Sequence, residues 1–235
     1  MNGPAGRYPR AWDMPPFAPA MRCVVFDLDG LLIDSEPLFE EAARRLLAVR
    51  GKELIADVMR KMMGAPAREV LPMFREHHGL DDSHETIATE YRDHFRAAAG
   101  DQPVALMPGA LALLDRLEAH GMPKAIATSS TRAYVDWVLQ PHGLLSRFAF
   151  ALTADDVSQG KPHPEIYEKA AARFGCDPAA VLVLEDSVNG MRAAKAAGAR
   201  CVVVPHALVD RNELSLADAI VLRLDAPELL EWLGL

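Results

Sequence analysis

Two aspartates separated by one residue follow a short apolar segment near the start of the chain. Residues 24–26 are apolar, and Asp27, Leu28, Asp29 and Gly30 come directly after them. Along an extended strand, residues i and i+2 lie on the same side, with Cα atoms about 6.6 Å apart. Two carboxylates directed at one point repel each other, so they need a cation between them or a proton on one. The spacing therefore indicates a site of metal or acid–base chemistry.

The same Asp-x-Asp-Gly pattern is also typical of turns and of the start of a calcium-binding loop. A calcium loop needs a further acidic ligand at its fifth position and a glutamate at its twelfth. Counted from Asp27, those positions hold Leu31 and Leu38. The calcium loop is therefore excluded, and a plain turn remains the alternative to a functional site.

A second acidic pair, Glu185 and Asp186, follows the apolar residues 181–184. Carboxylates at the ends of two buried strands form a hard-oxygen site that suits Mg²⁺. A helix cap by Asp186 or Ser187 explains this pair equally well when it is taken alone. In the same way, Thr128 and Ser129 follow a short apolar segment, where hydroxyls and main-chain N–H groups either hold phosphate oxygens or cap a helix.

Lys161 lies between Gly160 and Pro162, and Pro164 follows shortly after. The two prolines restrict the backbone around the lysine, which indicates an ammonium group held in one place. A solvated surface lysine is the alternative interpretation.

These residues need strands and helices to position them. Short segments of β-branched or apolar residues predict strands at 23–26, 124–127, 148–152, 181–184 and 201–204, with a possible sixth at 219–222. Helices are predicted at 110–120, 164–174 and 188–197, each followed or ended by a glycine. Strands that alternate with helices predict a parallel α/β sheet of the Rossmann-like type, covered on both faces.

Residues 37–101 interrupt this alternation, because only amphipathic helical patterns occur there: 38–49, 55–63, 68–77 and 85–98. A connection of this length is too long for a loop. We therefore expect an inserted α-helical cap domain at 37–101, with the catalytic core formed by 21–36 and 102–235. Residues 1–20 are rich in proline and are expected to be a flexible arm.

Composition limits the classes of partner. The net charge is −8, which argues against nucleic acid or an anionic membrane as a partner. The three cysteines form no CxxC pattern, and the first twenty residues contain no apolar segment of a signal peptide. We expect a cytoplasmic protein with reduced thiols, and a monomer is the favoured oligomeric state.

Four groups of residues follow one another along the chain: Asp27-Leu28-Asp29-Gly30, Thr128, Lys161-Pro162 and Glu185-Asp186-Ser187. In this order they resemble the motifs of the haloacid dehalogenase-like superfamily. Asp34-Ser35-Glu36-Pro37, after the first of these motifs, looks like the entry to its helical cap. Residues 160–167 and 185–198 are similar to the β-phosphoglucomutase-like branch, which consists mostly of small-metabolite phosphatases. The resemblance covers residues 21–235.

The resemblance implies a role for each residue. Asp27 would attack phosphorus and form an aspartyl-phosphate, and Asp29 would act as the general acid and base. Mg²⁺ would be held by Asp27, the carbonyl of Asp29, Asp186 and, indirectly, Glu185. Thr128 and Lys161 would bind the phosphoryl oxygens. Leu28, Ser129 and Arg68 complete the predicted substrate contacts.

A mutase that returns the phosphoryl group to its substrate is the main alternative to a phosphatase. It would use a cap arginine soon after a glycine and a lysine just after the second motif; here Arg68 follows Gly64, and Arg132 stands near the lysine position. A catalytically inactive protein that binds a metabolite is disfavoured, because every motif residue is present. Phosphonate cleavage would need a Schiff-base lysine from the cap; Lys52 and Lys61 lie there, but nothing in the sequence marks either, so phosphate esters are favoured.

Substrate choice is expected to reside in the cap, since the core residues contact only phosphate. Arg68, Lys61 and Arg45 are candidates for facing the site, although each also fits an ordinary surface charge. A cap of moderate size favours a small phosphorylated metabolite, either a sugar phosphate or a nucleoside monophosphate.

Overall fold

The fold is seen in a computed structural model that describes residues 20–55, 57–58, 67–206 and 209–235. The described residues contain one sheet of six parallel strands, in the order β3-β2-β1-β4-β5-β6. The strands are β1 (Cys23–Phe26), β2 (Lys124–Ala127), β3 (Ala151–Leu152), β4 (Val181–Glu185), β5 (Arg200–Val203) and β6 (Ala219–Ile220).

Helices cover both faces of this sheet. The described helices are α1 (Glu36–Ala48), α2 (Ala67–His77), α3 (His84–Ala99), α4 (Ala110–Ala119), α5 (Arg132–Leu139), α6 (Glu165–Phe174), α7 (Val188–Ala196) and α8 (Pro227–Leu233), and those that cover the sheet are α4 to α8. Because successive side chains of a strand point to opposite faces, Val24 and Phe26 pack with α4, α5 and α8. Cys23 and Val25 pack with α6 and α7 on the other face. None of the helices in the described residues is long and apolar enough to cross a membrane.

The strand order reverses between β1 and β4. The chain proceeds from β1 outward to β2 and β3, and then crosses to β4 on the other side of β1. In open α/β sheets, ligands bind outside the carboxyl ends of the strands at such a point. Phe26 of β1 is aligned with Leu184 of β4, so Asp27 and Glu185 meet at this end of the sheet.

The described residues between β1 and β2 contain helices and no further strand of the sheet, as predicted. Helices α1, α2 and α3 enclose an apolar cluster separate from the two beside the sheet, consisting of Ala43, Leu46, Leu47, Val58, Val70, Phe74, Leu80 and Ile87. The fold class, a Rossmann-like core with inserted helices, is confirmed. The boundaries at 37 and 101 stay a prediction. Most of the helix predicted at 55–63, and the predicted arm except Ala20, lie outside the described residues.

Two strands are shorter than predicted. Residues 145–147 form a 3₁₀ turn, and the Phe148 N–H donates to the carbonyl of Leu145, so β3 contains only residues 151–152 of the predicted 148–152. At the opposite edge, Leu222 is 70% exposed, and β6 ends before it. Helices α5 and α8 were not predicted.

Phe74 tests the packing of the cluster between α1, α2 and α3. Its side chain is fully buried, and its ring centroid lies 4.5 Å from that of His78. Truncating a packed phenylalanine leaves a cavity and costs about 3–5 kcal/mol. We expect Phe74→Ala to lower the free energy of unfolding by about that amount in urea denaturation. The control Leu222→Ala, at an exposed position, should change it by less than about 0.5 kcal/mol; equal effects would contradict the described packing.

Candidate active site

Lys161 connects the carboxyl ends of three strands. Its Nζ lies 2.5 Å from Oδ1 of Asp27, which directly follows β1, and 2.6 Å from Oε1 of Glu185, the last residue of β4. It also donates to the carbonyl of Ala127, at the end of β2, over 3.0 Å. Only 1% of Lys161 is exposed. The loop before α6 therefore places a buried ammonium group at the centre of the strand ends.

Both carboxylate oxygens of Glu185 have hydrogen-bond donors. Oε1 accepts from the hydroxyl of Tyr167 at 2.6 Å in addition to Lys161, and Oε2 accepts from Oγ of Ser187 at 3.0 Å. A Cβ at Gly190 would lie 1.8 Å from Oε1, so a glycine is required where α7 passes this carboxylate. Glu185 is thus fixed in place and in turn fixes Lys161.

Asp27, Glu185 and Asp186 form a buried acidic triad, with one potential ligand atom from each lying within 4.8 Å of the others. Burial raises the pKa of Asp27 to about 8; the Lys161 ammonium opposes this, and the charges of Glu185 and Asp29 add to it. Burial, followed by the charges of Asp27 and Glu185, also raises the pKa of Asp186 well above its usual value. One ammonium cannot balance three carboxylates, so the donor set fits a divalent cation with a preference for oxygen ligands.

Asp29 is held by three hydroxyl groups. Its Oδ1 accepts from Oγ of Ser35 at 2.8 Å and from the hydroxyl of Tyr134 at 2.6 Å. Its Oδ2 accepts from Oγ of Ser130 at 2.7 Å. Burial raises the pKa of Asp29, while these hydroxyl groups oppose the shift. The carboxylate of Asp29 is therefore kept in one orientation beside the triad.

The predicted phosphate contacts lie beside Lys161. Thr128 is buried, and its Oγ1 accepts from the N–H of Ser130 at 3.0 Å. Thr128, Ser129 and Lys161 line a small hollow at the carboxyl end of the sheet. The side chain of Leu28 is fully buried in the core, so only its main chain is available to a ligand.

Of the three basic candidates for substrate contacts, Arg45, Arg68 and Lys61, the structure describes the side chain of Arg45 alone. Arg45 is exposed, and its Nε donates to Glu41 one turn earlier at 2.7 Å, as in an ordinary surface ion pair. The backbone of Arg68 lies in α2, but its side chain lies outside the described part of the structure, as does the whole of Lys61.

Sequence reasoning missed several polar residues of this site. Ser35 and Tyr167 were recognised as members of motifs, but their contacts to carboxylates were not predicted. Tyr134 was not singled out, because it lies 105 residues from Asp29 in a helix that was not predicted. A cluster of hydroxyls after β2 is a weak signal that further hydroxyl donors are near.

Comparisons with known proteins agree with this geometry. A family model described as haloacid dehalogenase-like hydrolase matches residues 24–204. A phosphorylated carbohydrates phosphatase of Thermotoga maritima is 35% identical over 203 residues, which cover 86% of this chain and 94% of that protein. A bifunctional riboflavin kinase/FMN phosphatase of Arabidopsis thaliana is 33% identical over 89% of this chain, which spans 55% of that longer protein.

Solved structures of related proteins have a similar fold. A variant of CbbY from Rhodobacter sphaeroides, in complex with xylulose-(1,5)bisphosphate, is 27% identical with a TM-score of 0.77, over 87% of this chain and 95% of that one. The class of protein is thus a phosphatase built on a Rossmann-like sheet. The chain belongs to the haloacid dehalogenase-like hydrolase family. Phosphatases of this family generally use a divalent metal, for which the buried acidic triad is suited.

Glu36, the first residue of α1, tests the electrostatics beside the site. Its side chain is nearly fully buried, and burial together with the charges of Asp29, Asp34 and Glu40 raises its pKa from 4.5 to about 7. Between these pH values the unfolded chain releases a proton that the folded protein retains. The stability linked to Glu36 is therefore complete below pH 4.5 and is lost as the pH rises through 7.

Glu36→Gln should remove this loss. With a chelator present, we expect the variant to be more stable than the wild type by about 1–3 kcal/mol at pH 8, and by less at about pH 5. Urea denaturation at both pH values measures the difference. The control Glu53→Gln, at an exposed position, should show no such pH dependence. An equal gain at both pH values for Glu36→Gln would contradict the raised pKa.

Proposed function

We propose that the protein is a magnesium-dependent phosphatase of a small phosphate monoester, and that it works through an aspartyl-phosphate on Asp27. The observation that carries this proposal is the Asp27 carboxylate at the end of β1, 2.5 Å from Lys161 Nζ and within the acidic triad. Catalysis of phosphoryl transfer consists mainly of positioning and electrostatic stabilisation. A fixed carboxylate beside a fixed cation meets both requirements.

The side chains have complementary roles in this reaction. An oxygen of Asp27 attacks phosphorus, and the bond from phosphorus to the ester oxygen breaks. Asp29 protonates the departing alkoxide and later accepts a proton from the water that hydrolyses the aspartyl-phosphate. The ammonium of Lys161, the hydroxyls of Thr128 and Ser129, and the main-chain N–H of Leu28 bind the phosphoryl oxygens.

Magnesium fits the excess of buried carboxylates. Asp27, Asp186 and the carbonyl of Asp29 would hold the ion directly. Glu185 acts indirectly, because its oxygens already accept from Lys161, Tyr167 and Ser187. When bound, the ion supplies positive charge that offsets the repulsion between the aspartates and the phosphoryl group.

The substrate is a sugar phosphate or a nucleoside monophosphate. The matched Thermotoga maritima protein is named for phosphorylated carbohydrates, and the matched CbbY structure contains a sugar bisphosphate. Residues 37–101 form the cap that closes over the organic part of this substrate, and Arg68 remains the candidate for contacting it. The reduced thiols and the acidic composition favour a cytoplasmic monomer.

A mutase is the second candidate function, but one contact disfavours it. Arg132, near the position where a mutase would carry its lysine, donates to the carbonyl of Ala151 and to Asp156. One nitrogen of its guanidinium is therefore engaged at the edge of the sheet, which disfavours a role in holding a departing sugar phosphate.

The first experiment is the release of inorganic phosphate, with Mg²⁺, from a panel of sugar phosphates, nucleoside monophosphates and phosphoglycolate. We expect one class of ester to be hydrolysed well above the others. Conversion of a sugar phosphate into its isomer without phosphate release, followed by ³¹P NMR, would instead establish the mutase.

Asp27→Asn tests the covalent step. An amide is a poor nucleophile, so the rate of phosphate release should fall by at least about a thousandfold. Mass spectrometry of quenched wild-type enzyme should find a phosphate adduct that the variant lacks. The control Asp81→Asn, at an exposed position, should keep full activity. Undiminished turnover in Asp27→Asn with a native circular dichroism spectrum would refute the aspartyl-phosphate.

Removal of the metal is a further test. EDTA should abolish phosphate release, and excess Mg²⁺ should restore it, because the acidic triad then regains its counter-charge. Mg²⁺ should also raise the thermal midpoint of the wild type, since it binds the folded state. Asp186→Asn, which removes one carboxylate of the triad, should weaken that rise. Full activity in EDTA would exclude the proposed metal dependence.

A further inference from the structure

Three hydroxyl groups from three separate segments converge on the Asp29 carboxylate. Ser35 immediately precedes α1, Ser130 lies in the loop after β2, and Tyr134 belongs to α5. An ionised carboxylate offers about four positions for hydrogen-bond donors. With three of them filled, one direction remains open for the proton that Asp29 would exchange with a substrate.

Tyr134 differs from the two serines because its ring lies against the inserted helices. Its ring centroid is 6.1 Å from that of Phe39 in α1, in a stacked arrangement. It is 5.7 Å from that of Phe95 in α3, in an edge-to-face arrangement. Phe95 in turn lies 6.0 Å from Trp137, one turn further along α5. One side chain thus contacts Asp29 with its hydroxyl and the helices between β1 and β2 with its ring.

We propose that Tyr134 is a positioning residue that orients the Asp29 carboxyl group for proton transfer and makes this orientation depend on how α1 and α3 sit against α5. The inference rests on the proposed function, in which Asp29 protonates the departing alkoxide. A proton donor must point at the departing oxygen within hydrogen-bond reach. If α1 and α3 shift, the ring of Tyr134 loses its contacts and the hydroxyl no longer holds Oδ1.

Leaving-group dependence separates this role from a general structural one. An alkoxide needs a proton to depart, whereas p-nitrophenolate departs without one. The parameter kcat/KM reports steps up to the release of the leaving group, so it excludes the later attack of water on the aspartyl-phosphate. Loss of the orientation of the Asp29 carboxyl group should therefore lower kcat/KM for an alkyl ester. The value of kcat/KM for p-nitrophenyl phosphate should stay unchanged.

Tyr134→Phe removes the hydroxyl and keeps the ring. We expect kcat/KM for the best alkyl phosphate of the panel to fall about tenfold, the value of one hydrogen bond to a charged group. The value for p-nitrophenyl phosphate should change by less than about twofold. The ratio of the two values is the readout, because partial misfolding would lower both values equally.

Tyr91→Phe is the matched control. Tyr91 is a tyrosine of the same aromatic cluster, with its ring 6.3 Å from that of Phe39, but its hydroxyl donates to the carbonyl of Phe39 at 2.9 Å. Removing that hydroxyl should leave the alkyl-to-aryl ratio of kcat/KM unchanged. A change in this ratio equal to that of Tyr134→Phe would overturn the inference.

Phe95→Leu tests the link to the inserted helices, because it removes a ring contact of Tyr134 without removing the hydroxyl group that this contact positions. We expect it to lower the same ratio, and the double variant with Tyr134→Phe to be no lower than Tyr134→Phe alone. Independent, additive effects of the two substitutions on the ratio would overturn the link.

Equal losses of kcat/KM for both substrates in Tyr134→Phe would overturn the positioning role. An inactive wild type would overturn the proposed function and this inference together, whereas an active one with an unchanged ratio in Tyr134→Phe would overturn the inference alone.

Discussion

The site depends on the ion pairs that the buried ammonium of Lys161 forms with Asp27 and Glu185. Burial alone lowers the pKa of an ammonium, but the charges of Asp27 and Glu185 raise the pKa of Lys161 above its usual value. Removing charges from water is costly unless each is paired and hydrogen-bonded. Strands β1 and β4 must therefore lie side by side, Tyr167 must reach Glu185, and the residue at position 190 must have no side chain.

The central part of the sheet could be predicted from the sequence, whereas its edges could not. Strands β1, β2 and β4 are buried along their whole length, so apart from Lys124 at the start of β2 and Glu185 at the end of β4 their residues are apolar. The edge strands β3 and β6 each have two residues, while Phe148 and Val221 near them pack into the core outside the strands. Helix α5 has only eight residues, too few for a clear helical period.

The carboxylates of the site could be predicted for a simple reason, whereas Lys161 was indicated only by the prolines that follow it. The carboxyl ends of parallel strands meet at one edge, so polar residues that directly follow β1, β2 and β4 must be neighbours. The two tyrosine hydroxyl groups could not be predicted in this way. Tyr134 and Tyr167 come from helices, and their direction depends on how those helices pack against the sheet. That packing is a property of the whole fold and leaves no local pattern in the sequence.

The long sequence separations within the site have a consequence for synthesis of the chain. Asp27 and Lys161 are 134 residues apart, and Asp29 and Tyr134 are 105 residues apart. During translation, β1 and the two aspartates that follow it leave the ribosome long before Tyr134 and Lys161 have been made. Strand β1 cannot acquire its neighbour β4 until residue 185 has been made. No N-terminal fragment that ends before β4 can form the acidic triad, and Asp27 lacks the Lys161 ammonium until most of the chain has been synthesised.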